Sequence, residues 1–351
     1  MKNIIVRAER EYEIKIDTDW KKELSSLMEG RKRTAIITSS SFSPDLAEIL
    51  QLDSEVHHFT VPDGEAGKTF STVTTLWDWL GAAGFTRSDL VVAIGGGALT
   101  DLAGFASATW LRGIDWVAVP TSLAGMVDAS IGGKTGINSD YGKNLIGSFH
   151  SPIAVVIDPT WLETLTDRDF SAGMAEVIKC GFIKDPKILE ITASRDVASL
   201  RSDQQTVVEL IYRAAKVKAE VVSVDFKESF AREILNYGHT LGHAVEIHSK
   251  FNLRHGEAVA IGLVYAAELA AARSMISAEI VELHRSVLAK LGLPTTYDRD
   301  AWAALRPILA LDKKSRGSTI RFVALNGIGS TARLEDLTSD ELDAAYERIC
   351  S

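Results

Sequence analysis

The side chains best equipped for chemistry lie in the second half of the chain. Asn236, His239 and His243 fall at i, i+3 and i+7, a spacing that puts all three on one face of a helix. His255 follows after a short loop, just ahead of an apolar stretch. Glu176 and Lys179 stand at i and i+3 within an earlier helical pattern. Two imidazoles and a carboxylate hold a zinc-type ion while leaving a position open for a substrate. Spacing alone selects His239 and His243 as the imidazole pair. One histidine on a helix is more often packed or solvated than a ligand, but several in one helical region with acids nearby tip the balance towards a metal site.

Cations form a second set. Arg112, Lys134, Lys143, Lys179, Lys218, Arg232, Lys313 and Lys314 adjoin glycines, acids or asparagines. A lysine on a helix surface is ordinarily just solvated. Lys134 differs, because residues 128–138 are glycine-rich without a packing logic of their own, and Lys143 and Asn144 follow between Gly142 and Gly147. Flexible polar loops of this kind are where binding groups concentrate. Several cations directed at one ligand suit a substrate bearing both phosphate and carboxylate.

The third feature is a glycine turn. A β-branched run at 90–94 leads into Gly95, Gly96 and Gly97 and then a helical pattern from Leu99. Strand, glycine turn and helix present backbone N–H groups to a phosphate, and glycine suits the turn because a Cβ would block close approach and because such a turn can need positive φ. The spacing is not that of the standard dinucleotide fingerprint, and a tight turn without a ligand explains it about as well. Asp101 in the first helical turn can simply complement the helix dipole. Two Gly-Lys-Thr runs, at 67–69 and 133–135, imitate a nucleotide-binding P-loop, but Pro62 and Asp128 occupy the places where that loop needs its first glycine. An ATPase is excluded on that ground.

Elements must position these groups. Short β-branched runs at 34–38, 56–61, 90–94, 116–119 and 153–157 read as strands, with 12–16 as an added edge strand. Helical patterns at 42–50, 69–83 and 99–111 alternate with them. Such alternation implies a parallel sheet covered on both faces. From about residue 163 the pattern turns helical, at 170–182, 204–224, 232–248, 256–274 and 278–291, and strand-like runs nearly vanish until 320–325. The expected architecture is a Rossmann-like α/β domain over 1–165 followed by a helical domain over 166–351.

Bulk composition agrees. The 351 residues are 46% apolar and 24% charged, ordinary for a globular chain with a sizeable core. Two cysteines, Cys180 and Cys350, make no disulfide framework and suit a reducing compartment. The first sixteen residues carry charges throughout and do not read as a signal peptide. The longest apolar stretch, 258–272, is interrupted by Glu268 and reads as a buried helix, not a membrane span. A net charge of −9 argues against nucleic-acid binding without excluding an anionic ligand in a locally positive site. A cytoplasmic enzyme is expected.

Taken together, these motifs resemble those of one family, the 3-dehydroquinate synthases among the sugar phosphate cyclases. The resemblance rests on the 95–104 glycine turn with Asp101, Arg112–Gly113, Pro120 to Ser122, 128–138 and Lys143–Asn144. It continues through Glu176 to Lys179, Lys218, Glu228 with Arg232, 235–243, the run from His255 and 312–314. The motifs run through most of the chain in family order. The resemblance implies an N-terminal NAD-binding domain, a C-terminal helical domain and a cleft between them. It implies a divalent ion, zinc or cobalt, held by Glu176, His239 and His255, which displaces His243 from the ligand set. It places Lys134, Asn144, Asn236, His243 and one of Lys313 and Lys314 at a substrate phosphate, with Arg112 reaching the same phosphate across a homodimer interface. Lys218 and Arg232 resemble a carboxylate clamp, and Lys179 and Glu228 are expected at substrate hydroxyls. Asp128 and Lys143, with Lys134, are expected near the nicotinamide. Glu65, Lys68, Gly96, Gly97, Asp101, Thr121, Ser122 and Thr164 are expected to hold NAD. One departure stands out: family members often carry an acid after the first Rossmann strand to bind the adenosine ribose, and here residues 38–41 are Thr-Ser-Ser-Ser.

The implied reaction converts 3-deoxy-D-arabino-heptulosonate 7-phosphate into 3-dehydroquinate and phosphate. It comprises transient oxidation at C5, loss of phosphate, re-reduction and an intramolecular aldol closure, with NAD regenerated in each turnover. Another sugar phosphate cyclase is the nearest alternative, but a substrate without a carboxylate has no need of Lys218 and Arg232. A metal-dependent polyol dehydrogenase would release NADH. A sensor without catalysis fits poorly with so complete a set of site residues.

Overall fold

A computed structural model describes residues 1–42, 44–47, 49, 54–316 and 320–351, with the side chains of 310–316 outside that description. The chain divides into two compact units, Met1–Thr164 with Lys218–Lys227, and Leu165–Val217 with Glu228–Ser351.

In the first unit the strands are β1 (Lys2–Arg7), β2 (Glu11–Ile16), β3 (Arg33–Ser39), β4 (Glu55–Val61), β5 (Leu90–Gly95), β6 (Asp115–Pro120), β7 (Lys134–Ser139), β8 (Gly142–Phe149) and β9 (Ala154–Ile157). The helices are α1 (Trp20–Met28), α2 (Phe70–Ala82) and α3 (Gly97–Thr109). Among the described residues, seven of the strands form one sheet in the order β1-β2-β9-β6-β5-β3-β4. All neighbours are parallel except β1 and β2. Every residue of β5 and β9 is buried, which is what a parallel sheet covered on both faces demands of its inner strands.

The expected strands are all present, with ends shifted by a residue or two. The strand at 12–16 is not the edge, because β1 pairs outside it. Lys2–Arg7 buries only Ile4 and Val6 between polar residues, an alternation too short to stand out beside the charges. Helix α1 is additional to the expected set. Asp19 caps it by accepting from the Lys21 and Lys22 amides, and Trp20, Leu24 and Met28 form its buried stripe. The helix expected at 42–50 falls partly outside the described residues, and Pro44, Asp45 and Leu46 are not helical.

The glycine-rich stretch read as a flexible loop is an antiparallel hairpin. β7 pairs with β8 from Lys134 opposite Phe149 to Ser139 opposite Gly142, and Thr135 and Ile137 are buried along it. Its packing partner comes from elsewhere in the chain, which a local reading cannot see: a Cβ on Gly104 of α3 would lie 2.5 Å from Thr135 Cγ2.

The second unit holds α4 (Asp167–Ile183), α5 (Lys187–Thr192), α6 (Val197–Arg201), α7 (Gln204–Val224), α8 (His239–His248), α9 (His255–Ala272), α10 (Ala278–Lys290), α11 (Trp302–Arg316) and α12 (Ser339–Glu347). Residues 218–224 of α7 count with the first unit. A small antiparallel hairpin, β10 (Phe322–Leu325) with β11 (Thr331–Leu334), completes it. Helix α9 is the centre of this unit, buried at every position from Gly256 to Ala270. No described helix is long and apolar enough to cross a membrane.

The continuous helix expected over 232–248 is broken. Ala231–Asn236 forms a 3-10 turn, Gly238 adopts φ +80°, and α8 starts at His239. Asn236 therefore does not share a helical face with His239 and His243. The break follows from crowding by α9: a Cβ on Gly238 would lie 2.9 Å from the Leu263 amide nitrogen, and one on Gly262 would lie 1.9 Å from the Gly238 carbonyl oxygen. At the start of α9, a Cβ on Gly256 would sit 1.7 Å from the Ala172 carbonyl oxygen of α4. Gly238 and Gly262 thus bring α9 and the turn before α8 into backbone contact, and Gly256 lets α9 approach Ala172 of α4.

Candidate active site

That contact gathers three side chains from distant sequence. Glu176 projects from the buried middle of α4, His239 opens α8 and His255 opens α9. His239 Nε2 lies 3.5 Å and His255 Nε2 3.3 Å from the same oxygen, Glu176 Oε1. One ligand atom from each of the three residues can be chosen so that all lie within 4.8 Å of one another. Nitrogen and oxygen ligands about 2.0–2.1 Å from a tetrahedral zinc stand about 3.3–3.4 Å apart, so the spacing fits such an ion. Neither Glu176 oxygen has a well-formed hydrogen bond among the described residues, although Lys179 Nζ is ion-paired with Oε2. A buried carboxylate of this kind calls for a cation.

Electrostatics point the same way. Burial would push the Glu176 carboxyl up, but Lys179, His239 and His255 outweigh it and hold it well below the ordinary range. Burial, helped by Lys179, holds His239 well below its usual value, as a neutral ligand requires. For His255 burial acts downward, yet the Glu176 and Glu246 carboxylates outweigh it and push the ring up to about 10. His239 Nδ1 faces the Tyr237 carbonyl oxygen at 3.2 Å, and His255 Nδ1 faces Glu246 Oε2 at 3.2 Å.

His243 is exposed, with its ring centroid 5.3 Å from that of His239 and 6.2 Å from that of His255. It groups with Glu246 and His255 as a second set of ligand-type atoms. Asn236 Nδ2 donates to Glu228 Oε1 at 3.0 Å, and Glu228 holds φ +57°, a costly conformation for a residue with a Cβ. Arg232 is fully buried in the turn before α8. Lys313 and Lys314 belong to α11, and their side chains lie outside the described residues.

The first unit collects most of the residues expected around NAD. Gly96 caps α3 with φ −71° and without a side-chain bond, and none of Gly95, Gly96 and Gly97 has positive φ, so of the two reasons for glycine the backbone one does not apply. Glycine is demanded by space instead: a Cβ on Gly97 would lie 2.8 Å from Ala129 Cβ. The helix also starts two residues earlier than Leu99. Lys68, almost fully buried, donates to Asp101 Oδ2 at 2.7 Å and to Asn144 Oδ1. Burial raises the Asp101 carboxyl against the pull of Lys68. Asn138 bridges to this group, donating to Glu65 Oε2 at 2.7 Å and accepting from the Asn144 amide at 3.0 Å. Lys143 Nζ lies 3.8 Å from Glu65.

Lys218 counts with this unit and is paired with Asp128. Lys134 is exposed at the start of β7. Thr121 is buried, and Ser122 Oγ accepts from the Gly125 amide at 3.2 Å. Thr164 is exposed and its hydroxyl donates to the Trp161 carbonyl oxygen at 2.7 Å. Arg112 is exposed at a turn in which Leu111, Arg112 and Gly113 all hold positive φ.

Four residues escaped the sequence reading. Glu246 and Asn138 sit one contact behind expected site residues. His284 is buried against Phe182 with ring centroids 3.5 Å apart, and burial pushes it down to about 3. Its Nδ1 lies 2.7 Å from the Ile280 carbonyl oxygen, leaving Nε2, at 2.9 Å, to accept from the Tyr237 hydroxyl and anchor the turn before His239. Asp63 lies just past β4 and accepts from the Ser41, Ser39 and Ser40 hydroxyls, which hold its carboxyl below the ordinary value. It puts an acid beside the serines that follow β3, where the sequence showed none. Only the parallel pairing of Ser39 opposite Val61 reveals it.

Comparison with known proteins gives this geometry a context. Residues 58–172 match the family profile described as 3-dehydroquinate synthase N-terminal, and 173–315 match the one described as 3-dehydroquinate synthase C-terminal. A 3-dehydroquinate synthase from Corynebacterium diphtheriae is 48% identical, covering 99% of each chain. One from Mycolicibacterium vanbaalenii is 47% identical, covering 98% of this chain and 97% of that one. Among solved structures, a 2-deoxy-scyllo-inosose synthase complexed with carbaglucose-6-phosphate, NAD+ and Co2+ superposes with a TM-score of 0.87 at 27% identity over 99% of each chain. With profile matches that together take in its glycine turn, its histidine cluster and its carboxylate on α4, the chain belongs to the 3-dehydroquinate synthase family.

Proposed function

We propose that this protein is a cytoplasmic NAD- and metal-dependent cyclase that converts 3-deoxy-D-arabino-heptulosonate 7-phosphate into 3-dehydroquinate and phosphate. The family match spanning the whole run of site motifs carries the reading. Residues 1–165 serve as the NAD-binding domain and 166–351 as the metal- and substrate-binding domain.

When bound, NAD supplies a reversible hydride acceptor for C5, and a zinc or cobalt ion supplies Lewis acidity to the C5 oxygen. Glu176, His239 and His255 hold the ion, and Lys179 keeps Glu176 ionised. Lys134, Asn144, Asn236, His243 and one of Lys313 and Lys314 bind the phosphate and stabilise its charge as it leaves. Arg112 joins them from the other protomer of a homodimer. A phosphate oxygen takes the C6 proton, so Lys134 and His243 orient a base that the substrate brings with it. Lys218 and Arg232 take the carboxylate, while Lys179 and Glu228 take hydroxyls, with Asn236 steadying Glu228. Asp128, Lys134 and Lys143 serve the nicotinamide end. Glu65, Lys68, Gly96, Gly97, Asp101, Thr121, Ser122 and Thr164 hold the remainder of NAD. Asp63 supplies the acid for the adenosine ribose, since the serines it binds follow β3 and β3 pairs with β5, the strand that leads into the glycine turn.

The test is to incubate the purified protein with the heptulosonate phosphate, NAD and a divalent ion, and to measure phosphate and carbocyclic product with and without chelator. Equimolar phosphate and carbocycle, lost on chelation, with no accumulation of NADH absorbance, is the expected result. Steady NADH release would convert the reading to a polyol dehydrogenase. Turnover only of a sugar phosphate lacking the carboxylate would convert it to a different cyclase.

A further inference from the structure

We propose that Glu246 is a positioning residue that fixes the tautomer of His255 and so aims its Nε2 lone pair at the ion. The proposal rests on the reading of Glu176, His239 and His255 as the ligand set.

The two nitrogens of His255 face two different carboxylates. Nε2 lies 3.3 Å from Glu176 Oε1 and Nδ1 lies 3.2 Å from Glu246 Oε2. A neutral imidazole, the form in which the ring ligates an ion, has one proton to give. Placed on Nε2, the proton points at Glu176, removes the lone pair that an ion needs and leaves the Nδ1 lone pair against a second carboxylate. Placed on Nδ1, it is accepted by Glu246 and leaves the Nε2 lone pair facing the ligand cluster. Glu246 is buried near the end of α8 while His255 opens α9, so the hydrogen bond also ties together the two helices that carry the imidazoles. A carboxylate behind a metal-bound imidazole raises its basicity as well as fixing its orientation.

His239 provides an internal comparison. Its Nδ1 is served by the Tyr237 carbonyl oxygen, a backbone acceptor that no side-chain substitution removes. Of the two imidazoles, only His255 depends on a replaceable acceptor. The grouping of His243 with Glu246 and His255 admits a rival reading in which Glu246 ligates a second cation directly. The tautomer reading is favoured because it leaves Nε2 for the ion and Nδ1–H for Glu246 without asking the ring to ligate twice.

The experiment compares the full chain with Glu246→Leu, Glu246→Gln and the control His255→Ala. Zinc affinity is read by competition with a chromogenic chelator, and the protonation of each imidazole is read by nitrogen NMR on histidine-labelled protein. Glu246→Leu is expected to loosen zinc about 10–100-fold. Glu246→Gln, which keeps an acceptor, should recover most of that loss. In the zinc-loaded protein the His255 signal should show Nδ1–H in the native chain and in the glutamine variant, with His239 unchanged throughout. If Glu246→Leu does not fold, Glu246→Gln carries the test: retained Nδ1–H with modestly loosened zinc supports the proposal, and Nε2–H with native affinity overturns it. Native affinity in Glu246→Leu, with zinc lost in His255→Ala, overturns the positioning role alone. Native affinity in His255→Ala removes the ligand set and this inference together. Two zinc ions per chain falling to one in Glu246→Leu makes Glu246 a ligand and sinks the tautomer role.

Discussion

The Glu176 cluster of the helical unit and the polar network of the sheet unit hold their charges in opposite ways. Around Glu176, two imidazoles and an ammonium converge on one buried acid whose oxygens lack well-formed hydrogen bonds. The arrangement is preformed, and its energy depends on something positive occupying the centre. In the sheet unit, cations are matched with internal acceptors: Lys68 with Asp101 and Asn144, Lys218 with Asp128, Lys143 with Glu65. A ligand arriving there exchanges partners rather than filling a void.

Glu176→Ala should break this contrast most severely. It leaves Lys179 buried without its anion, which costs about 3–5 kcal/mol. Urea unfolding should reveal that loss, and metal analysis should find the purified protein devoid of its ion; native stability would show that Lys179 is not held by this pair. Lys134→Ala tests the other kind of region. Turnover should collapse by about 10²–10³-fold while the melting temperature stays close to native, because Lys134 is exposed at a strand start. Unchanged turnover would remove it from the phosphate-binding set.

Gly238→Ala sits between these extremes. A Cβ there meets Leu263 at 2.9 Å on a backbone with φ +80°, and strain of this kind costs about 1–3 kcal/mol. Because His239 is the next residue, zinc affinity should fall alongside the urea midpoint; a stability loss with native affinity would mean that the turn does not position His239. Asp63→Ala is the mildest. Calorimetry should show NAD binding weakened about three- to tenfold, the size of one or two hydrogen bonds, with zinc affinity untouched. Equal NAD affinity would leave the ribose to the serines.

Much of this was legible locally. The strands at 34–38, 90–94 and 116–119 declare themselves because a doubly covered strand is short, β-branched and mostly apolar, and α7 appears at its full length, Gln204–Val224. Family motifs in order pointed to the chemistry and to Glu176, His239 and His255. What misled was periodicity across a break. Asn236 and His239 keep helical spacing through Gly238, and the packing of Leu263 that forces the break lies in another helix. The β7–β8 hairpin was hidden for the same reason, since its partner surface on α3 is remote in sequence.

By itself the sequence determined which groups are available: one acid and a set of imidazoles able to hold a cation, a glycine turn at a strand end, and an excess of lysines near glycines. Tertiary structure alone decided which atoms meet. It put His255 opposite Glu176, as the family motifs but not the helical spacing implied, brought Asp63 to the serines at the end of β3, and gave each ring's second nitrogen an acceptor. Spacing along a chain fixes direction only within one element, whereas the approach of α9 to α4 and to the Gly238 turn depends on where a Cβ is missing, on the α9 side alone at α4 and on both sides at the turn.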